Sequence, residues 1–519
     1  MEKIQPTETK QTEQSNNAKP ARNPKPAPAK TAPAKPAPTK PARRDVVAIL
    51  LVDAVSFLGI LTETSMGVSF PDLIREFRIS LDTVQWLTSG YLLVISIIMV
   101  ASSFLNARVT ARSLFRFGAI TFILGSVLCI FAPNFPLLLT GRLLSAFAAG
   151  LNTPLMFNLV TELMPPSQRG YWMGVVGLVV ALAPGLGPTV GGLVAQQLNW
   201  RAVFVIVGVL MAIVLVAGWQ VVGKYHEVTH PRFDWLRFLV VAAAFTSCSI
   251  SFNQLAHGIA NPVFWGGIAL TALLIAVFID LSRTSNRALI DVNVFRNARF
   301  VLALVAYLLL QSLNIGLSAV VPVYAQIVVG LSTLVAGLIL LPGSIIPSLF
   351  NPWYGKLYDA HGPRPVLLTA SGLLLVGTAL FGLFGRHLEL WSLILFYMTV
   401  QFGFRAAFNN TLTYGIDVAA PQRHADATAV LQSAQQYAGS IGTTILTSIV
   451  ALSQHQVAGP NDPRYPALTA IGAAHAFWFT FVVALTILAI YLVLFLKKDW
   501  REPVPEPHEE DVTLPKDSD

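Results

Sequence analysis

Residues 181–192 read ALAPGLGPTVGG and lie inside a long apolar run. In a water-soluble helix this composition would be disruptive, because proline costs about 3 kcal/mol and glycine about 1 kcal/mol relative to alanine. Within a bilayer such a helix persists when neighbouring helices pack against it and satisfy the freed backbone groups. Pro184 and Pro188 share one helix face, as do Gly187 and Gly191, because each pair is four residues apart. The stretch therefore predicts a bent membrane helix with a small-residue contact surface.

The composition of the whole chain also indicates a membrane protein. Of its 519 residues, 54% are hydrophobic and 12% are charged, whereas soluble domains carry about 25% charged residues. Crossing a hydrocarbon core of about 30 Å takes roughly 20 helical residues, and fourteen apolar runs have this length. They are 46–70, 84–105, 114–133, 136–160, 171–195, 202–222, 236–255, 263–282, 300–325, 331–351, 365–384, 388–411, 427–452 and 474–496. The sequence therefore predicts an all-α polytopic membrane protein.

Lys and Arg are distributed unevenly between the two sides of these spans. They concentrate in both tails and in the loops on the same side as the tails, which predicts cytoplasmic N- and C-termini in the plasma membrane. Residues 1–45 form a basic Lys/Pro/Ala-rich tract with almost nothing to bury, and we expect a disordered tail. Its predicted partner is the anionic lipid surface rather than nucleic acid. Residues 497–519 form the second cytoplasmic tail.

A sequence repeat divides the chain into two halves. SFLNARVTARSLF (103–115) follows the second span, and YGKLYDAHGPRPVLL (354–368) follows the tenth. Repeated halves with a site between them are the usual plan of secondary transporters. We therefore predict an N-terminal six-helix bundle (46–222), two extra spans with their loops (223–299) and a C-terminal six-helix bundle (300–496).

The second copy of the repeat carries a recognisable loop. In GKLYDAHGPR, Gly355 allows a close helix approach, Gly362 permits a tight turn, and Asp359 can pair with a basic group. Together with Arg364 these residues match G-x-L-x-D-x-x-G-x-R, which resembles the signature loop of the major facilitator superfamily. The resemblance implies the major facilitator fold and an alternating-access cycle in which Asp359 and Arg364 act in a gating loop. The first copy lacks the two glycines and the aspartate, so only the second gate is predicted.

Asp53, Glu63, Arg142 and Arg405 are charged side chains that lie well inside predicted spans. A charge in a span is costly unless it faces a partner or water, so each is a candidate functional residue. Glu63 and Arg142 lie about 10 Å and 9 Å from the same membrane face, which predicts a pair where a proton and a cationic substrate compete. Asp53 and Arg405 lie about 10 Å from the other face and form a second candidate pair. A static ion pair is the alternative for the first, and snorkelling to the surface for the second.

Several stretches resemble the fourteen-helix drug:proton antiporters of this superfamily. ALAPGLGPTVGG closely resembles their antiporter motif, which is associated with export, and the alternative is a generic packing seam. The matching residues are Pro184, Gly185, Gly187, Pro188, Gly191 and Gly192. The resemblance implies that Glu63, Arg142 and Asp53 couple transport to proton movement. The candidates for the substrate cavity are Asn152, Gln311, Asn314, Arg405, Phe408 and Asn409.

Other chemistries find no support in the sequence. It contains no P-loop and no HExxH pattern, and GLGPTVG (185–191) departs from the dinucleotide fingerprint because its third glycine comes one position late. We expect no cofactor or metal, a proton gradient as the energy source, and a monomer. The leading hypothesis is a proton-coupled antiporter, not an enzyme, that exports hydrophobic or cationic drugs. The alternatives are a dedicated exporter of one lipid, peptide or metabolite, and a membrane-embedded sensor or enzyme.

Overall fold

The computed structural model describes residues 42–165, 168–225, 233–283, 292–420, 423–457 and 459–496. The regular structure of these residues is helical, with short 3-10 helices at Gln254–His257 and Val292–Arg296. The predicted tails lie outside the described residues, apart from residues 42–45. The α-helices are α1 Arg43–Val68, α2 Phe70–Phe77, α3 Leu81–Val84, α4 Trp86–Val100, α5 Ser102–Arg108, α6 Ala111–Ile130, α7 Phe135–Leu163, α8 Arg169–Gln197, α9 Trp200–Val221, α10 Trp235–Asn253, α11 Pro262–Arg283, α12 Ala298–Ile327, α13 Thr333–Leu349, α14 Asn351–His361, α15 Pro363–Phe384, α16 Leu390–Asp417, α17 His424–Gln454 and α18 Tyr465–Leu496.

The helices have the length and composition of membrane spans. Among the described residues, twelve helical segments are long and apolar enough to cross a bilayer, or thirteen if α13 and α14, which meet at a bend of 41°, form one span. Helix α17 coincides with the predicted span 427–452, but its many Ser, Thr and Gln residues keep it out of this set. The predicted all-α membrane fold is confirmed, whereas the count of fourteen spans and the side of the termini remain predictions.

Helix α8, which carries ALAPGLGPTVGG, packs between α1 on one side and α13 on the other. A Cβ added at Gly191 would lie 2.7 Å from the Ser65 carbonyl oxygen in α1. On the other side, a Cβ at Gly192 would lie 2.7 Å from the Thr333 carbonyl oxygen in α13. The Ser65 hydroxyl also donates a hydrogen bond to the Gly187 carbonyl, at 2.8 Å. Because these contacts reach the backbone, only glycine fits at both positions.

The α8 contact joins the N half (α1–α9) to the C half (α12–α18). A second contact between the halves runs along α4 and α17, where the Ser440 hydroxyl donates to the Ser89 carbonyl at 2.7 Å. At one end of this contact, His455 Nε2 lies 3.1 Å from Asp82 Oδ1. We call the end of the bundle that holds Asp82 and His455 the closed end.

The opposite end of the bundle contains a cavity between the halves. Its volume is about 270 Å³, and it is lined by residues of α4, α5, α7 and α17, among them Asn106, Asn158 and Gln432. We call it the cleft. Because the halves touch at the closed end and leave a cavity between them here, we interpret the described residues as a state that is open on one side.

The hairpin formed by α10 and α11 packs beside the contact between α4 and α17. Phe245 of α10 stacks on Tyr437 of α17 with ring centroids 4.1 Å apart, and the Asn253 side-chain amide donates to the Asp82 carbonyl at 2.8 Å. Helix α11 is mostly exposed: in its most apolar 18-residue segment, 11% of the residues are buried inside the protein. The hairpin therefore contacts both halves at one seam and leaves most of α11 facing outward.

We expect Gly191→Ala to destabilise the protein by about 1–3 kcal/mol, because the added methyl group overpacks the backbone of α1. Gly177 provides the matched control, since it lies in the same helix and a Cβ there meets nothing within 4 Å. Gly177→Ala should be neutral or stabilise by up to about 1 kcal/mol, the difference in helix propensity. The measurement is the thermal unfolding midpoint of each variant in detergent. Equal midpoints would show that the α8 contact does not need glycine.

Candidate functional site

Glu63 of α1 and Arg142 of α7 are both buried inside the N half, with 3% and 0% of their surfaces exposed. The two helices approach closely on this face, where Thr153 donates from its hydroxyl to Ser56 at 3.2 Å. A Cβ at Gly59 would lie 3.1 Å from the Ala149 Cβ. The Glu63 and Arg142 charges interact electrostatically. No ion pair within 4.0 Å joins them among the described residues, so the predicted direct pair is not formed in this state.

Tyr91 of α4 connects the two charges. The Arg142 guanidinium carbon lies 4.2 Å from the centre of the Tyr91 ring, a cation–π contact. The Tyr91 hydroxyl donates to the carbonyl of Gly59, one turn before Glu63, at 3.1 Å. Arg142 also donates from Nε to the Leu87 carbonyl at 3.4 Å, while its two Nη atoms have no hydrogen-bond partner. The site is thus a buried acid and a buried base, with one tyrosine that contacts both Arg142 and the backbone of the helix that carries Glu63.

Asp53 lies closer to the start of α1 and is also buried, with 1% of its surface exposed. Neither of its carboxylate oxygens has a hydrogen-bond partner. The structure does not bring Asp53 and Arg405 together: no ion pair between them exists among the described residues. The candidate pair is therefore not formed in this state, because depth along the membrane places two residues at one level without making them neighbours.

A polar network lies between α12 and α16 in the C half. The Gln401 side-chain amide donates to the Asn314 side-chain oxygen at 2.8 Å and to the Tyr397 hydroxyl at 2.7 Å. Gln311 lies one turn before Asn314 on α12 and is 6% exposed. Tyr397, Gln401 and Arg405 follow one another at intervals of four residues, so they share one face of α16.

A stack of aromatic rings lies next to this face of α16, on the side toward the cleft. The rings of Tyr307 and Phe408 are nearly parallel, with centroids 4.5 Å apart, and Phe404 lies 4.8 Å from Phe408. The Tyr307 hydroxyl donates to Gln435 Oε1 at 2.7 Å. Gln435 lies one turn along α17 from Gln432, which lines the cleft. The stack therefore lies deeper than the cleft and next to it.

The structure separates the six predicted cavity residues into two groups. Gln311, Asn314, Arg405, Phe408 and Asn409 lie on α12 and α16, and Asn409 is exposed. Asn152, which was predicted to line the substrate cavity, does not do so in this state. It is fully buried, and a Cβ at Gly118 of α6 would overlap its amide. It therefore fills the contact between α6 and α7, with its amide donating to Ala148 at 2.9 Å.

The predicted gating loop lies at the end of α14. Gly362 has φ +77°, the left-handed backbone of the tight turn that the sequence predicts. Asp359 and Arg364 are exposed and form no ion pair among the described residues. The expected close helix approach at Gly355 is wrong, because a Cβ there meets nothing within 4 Å.

Comparison with known proteins identifies the family. The model described as Major Facilitator Superfamily matches residues 52–443, and the chain belongs to this superfamily. The lincomycin resistance protein LmrB of Bacillus subtilis is 30% identical over 462 residues, which cover 87% of this chain and 95% of that protein. LmrB of Listeria monocytogenes is 31% identical over 458 residues, covering 85% and 94%.

A solved structure supports the same fold. The crystal structure of a POT family transporter in complex with 5-aminolevulinic acid matches with a TM-score of 0.63 and 18% identity, over 86% of this chain and 95% of that chain. The predicted superfamily is thus confirmed, and the chain is placed among membrane transporters rather than enzymes.

Several residues of the site did not stand out in the sequence. Tyr91 and Gln401 are ordinary members of apolar spans, and Gln435 lies in a span whose polar residues have many roles. The spacing of Tyr397, Gln401 and Arg405 was the one available signal. It identifies a shared face but not the helix that lies opposite.

We expect the contact between His455 and Asp82 to make stability depend on pH. The hydrogen bond to Asp82 raises the pKa of His455 above its usual value. Stabilisation is therefore complete below about pH 6.5 and is lost as the pH rises through the higher folded-state value. The side chain of His455 is 34% exposed, so the effect should not exceed about 1 kcal/mol.

The measurement is the unfolding midpoint in detergent between pH 5.5 and 8.5. His455→Gln keeps a hydrogen-bonding side chain but cannot titrate, and it should flatten the part of the pH dependence that the wild type shows above pH 6.5. His387→Gln, at an exposed loop position, serves as the control. A parallel shift of the His455→Gln and wild-type curves would contradict this assignment.

Proposed function

We propose that the protein is a secondary active transporter of the plasma membrane that exports small hydrophobic compounds, including drugs, in exchange for protons. Both termini face the cytoplasm in this proposal, so the cleft opens to the cytoplasm. No cofactor is required, because the proton gradient supplies the energy. The names of the relatives, lincomycin resistance proteins, support drug efflux as the activity.

The observation that carries the proposal is the buried carboxyl group of Glu63. It lies within a membrane-spanning helix and is 3% exposed, and no cation of the described residues lies within ion-pair distance of it. Ionisable groups at such positions are rare, and they mark ion and proton pathways. Arg142 is close enough to interact electrostatically but not to form a fixed ion pair. A carboxyl group in this setting can gain or lose a proton when the surrounding helices move.

Tyr91 links the protonation state of Glu63 to the position of other helices. Its ring contacts Arg142, and its hydroxyl contacts α1 at Gly59. When Glu63 is ionised, Arg142 is attracted toward α1, and when Glu63 is neutral that attraction is lost. Because α4 also forms the contact with α17, a shift of Tyr91 would be felt at the interface between the halves. Protonation is in this way coupled to the contact that holds the closed end together.

The alternating-access step consists of opening the closed end and closing the cleft. At the closed end the halves are joined by hydrogen bonds such as that from Gln326 to the Val68 carbonyl, at 2.7 Å. At the other end Asp359 and Arg364 are unpaired among the described residues, as expected of a gate whose end is open. The resemblance of the α8 stretch to the antiporter motif favours export as the direction.

We expect Glu63→Gln to reduce efflux driven by a pH gradient by about tenfold or more, because an amide cannot carry the proton. The measurement is ethidium and lincomycin transport in everted membrane vesicles. Substrate exchange without a gradient should be retained, which separates lost coupling from lost folding.

The matched control is Glu389→Gln. Glu389 is exposed and caps the start of α16, and an amide oxygen can accept the same capping hydrogen bond. If Glu63→Gln retained full gradient-driven efflux, Glu63 would not be the coupling residue. If the wild type showed no gradient-driven efflux of any compound, proton antiport itself would be refuted.

A further inference from the structure

The side of α16 that carries Arg405 faces the interface between the halves. Gly403 packs on α15, where an added Cβ would lie 2.7 Å from the Ala370 carbonyl oxygen. Arg405 lies about 200° further around the helix, on the opposite side. Gln401 contacts α12, and Phe402 contacts the end of α13. Because α12 and α13 both touch the N half, the side of α16 between them points toward the centre of the molecule.

Arg405 has no counter-ion in this position. It lies twelve residues before the end of α16, about 18 Å from that end, which is near the middle of a membrane-spanning helix. No carboxylate lies within 4.0 Å of it among the described residues, and its Nε atom is buried without a hydrogen-bond partner. Between positions 292 and 416 the acidic residues are Asp359 and Glu389, both exposed near helix ends.

The surroundings of Arg405 suit an aromatic, polar molecule. Phe404 lies beneath the guanidinium at 5.6 Å, and the Tyr307–Phe408 stack lies one turn nearer the cleft. On the other side, the network of Gln401 and Asn314 supplies amide groups. A molecule that enters from the cleft would therefore meet the cleft amides, then aromatic rings, then a single positive charge, with the Gln401 and Asn314 amides beyond it.

We propose that Arg405 binds an anionic group of the transported compound and that Phe408, which is partly exposed and stacks on the buried Tyr307, binds its aromatic part. The substrate class is then an aromatic organic anion or zwitterion. A cation in the middle of a membrane protein is costly without a partner, and a substrate carboxylate, sulfonate or phosphate supplies that partner through a paired, charge-assisted contact. This inference rests on the proposed export function and replaces its general substrate class with a particular one.

The same structure disfavours Glu63 as the direct contact for a cationic drug. Glu63 is almost completely buried, and Tyr91 and Arg142 occupy the space beside it. A large cation would have to displace both side chains, whereas a proton would not. In this arrangement Glu63 in the N half binds the proton, and Arg405 in the C half binds the substrate.

The test compares two fluorescent aromatic probes of opposite charge, fluorescein and ethidium, on detergent-purified protein without a gradient. Binding is followed by fluorescence polarisation for the wild type, Arg405→Gln, Arg405→Lys and the control Arg386→Gln, which removes an exposed loop charge. We expect Arg405→Gln to weaken fluorescein binding by about tenfold or more, as expected for the loss of a charge-assisted contact. Arg405→Lys should weaken fluorescein binding less than Arg405→Gln does, because it keeps the positive charge but loses the planar guanidinium group.

Ethidium binding reports whether Arg405→Gln retains its fold. Ethidium should bind equally well or more tightly after the positive charge is removed. An equal loss of both probes in a variant with a normal elution profile would overturn the inference, and so would unchanged fluorescein binding. Wild-type protein that binds ethidium but not fluorescein would also overturn it.

The two proposals fail in different ways. If Arg405→Gln discriminates between the probes but no probe moves with a pH gradient, anion recognition stands and proton antiport falls. If ethidium moves with the gradient but fluorescein neither binds nor moves, antiport stands and anion recognition falls.

Discussion

The contact of the α8 backbone with α1 and α13 is the constraint on which the rest of the structure depends. Where Gly191 and Gly192 lie, no side chain separates α8 from either neighbour, so the two halves meet backbone to backbone. In hydrocarbon this packing substitutes for the hydrophobic effect, which does not drive helices together there. Its position also sets the depth at which α1 presents Glu63, because Ser65 is bonded to Gly187.

The two halves use charge in opposite ways. In the N half, a buried acid and a buried base are close enough to interact electrostatically, and the Tyr91 ring contacts the base. In the C half, Arg405 is alone among aromatic rings and amides. A pair of this kind can exchange a proton without contacting a drug, whereas a solitary charge requires a ligand. In the two proposals made above, coupling and recognition therefore lie in different halves, and the interface between the halves transmits one to the other.

The sequence was sufficient for the fold and for only part of the site. Apolar runs predict helices because a bilayer requires nearly the same length from each, although α18 starts nine residues before the predicted span 474–496. Charges inside spans identified Glu63, Arg142 and Arg405. Depth could not identify their neighbours, since two residues at one level can lie on separate helices. The separation of Asp53 from Arg405 has this cause.

The α10–α11 hairpin makes the two sides of the molecule unequal. It lies on the seam between α4 and α17, held by the Phe245–Tyr437 stack and by Asn253, whereas α8 and α13 meet on the other side through glycines. Among the described residues, opening the closed end along α4 would also disturb the contact between the hairpin and Asp82. For a molecule dissolved in the lipid, the α10–α11 hairpin then covers the lateral entrance between α4 and α17. The lateral entrance between α8 and α13 has no such cover among the described residues. The two lipid-facing sides of the transporter are therefore not equivalent.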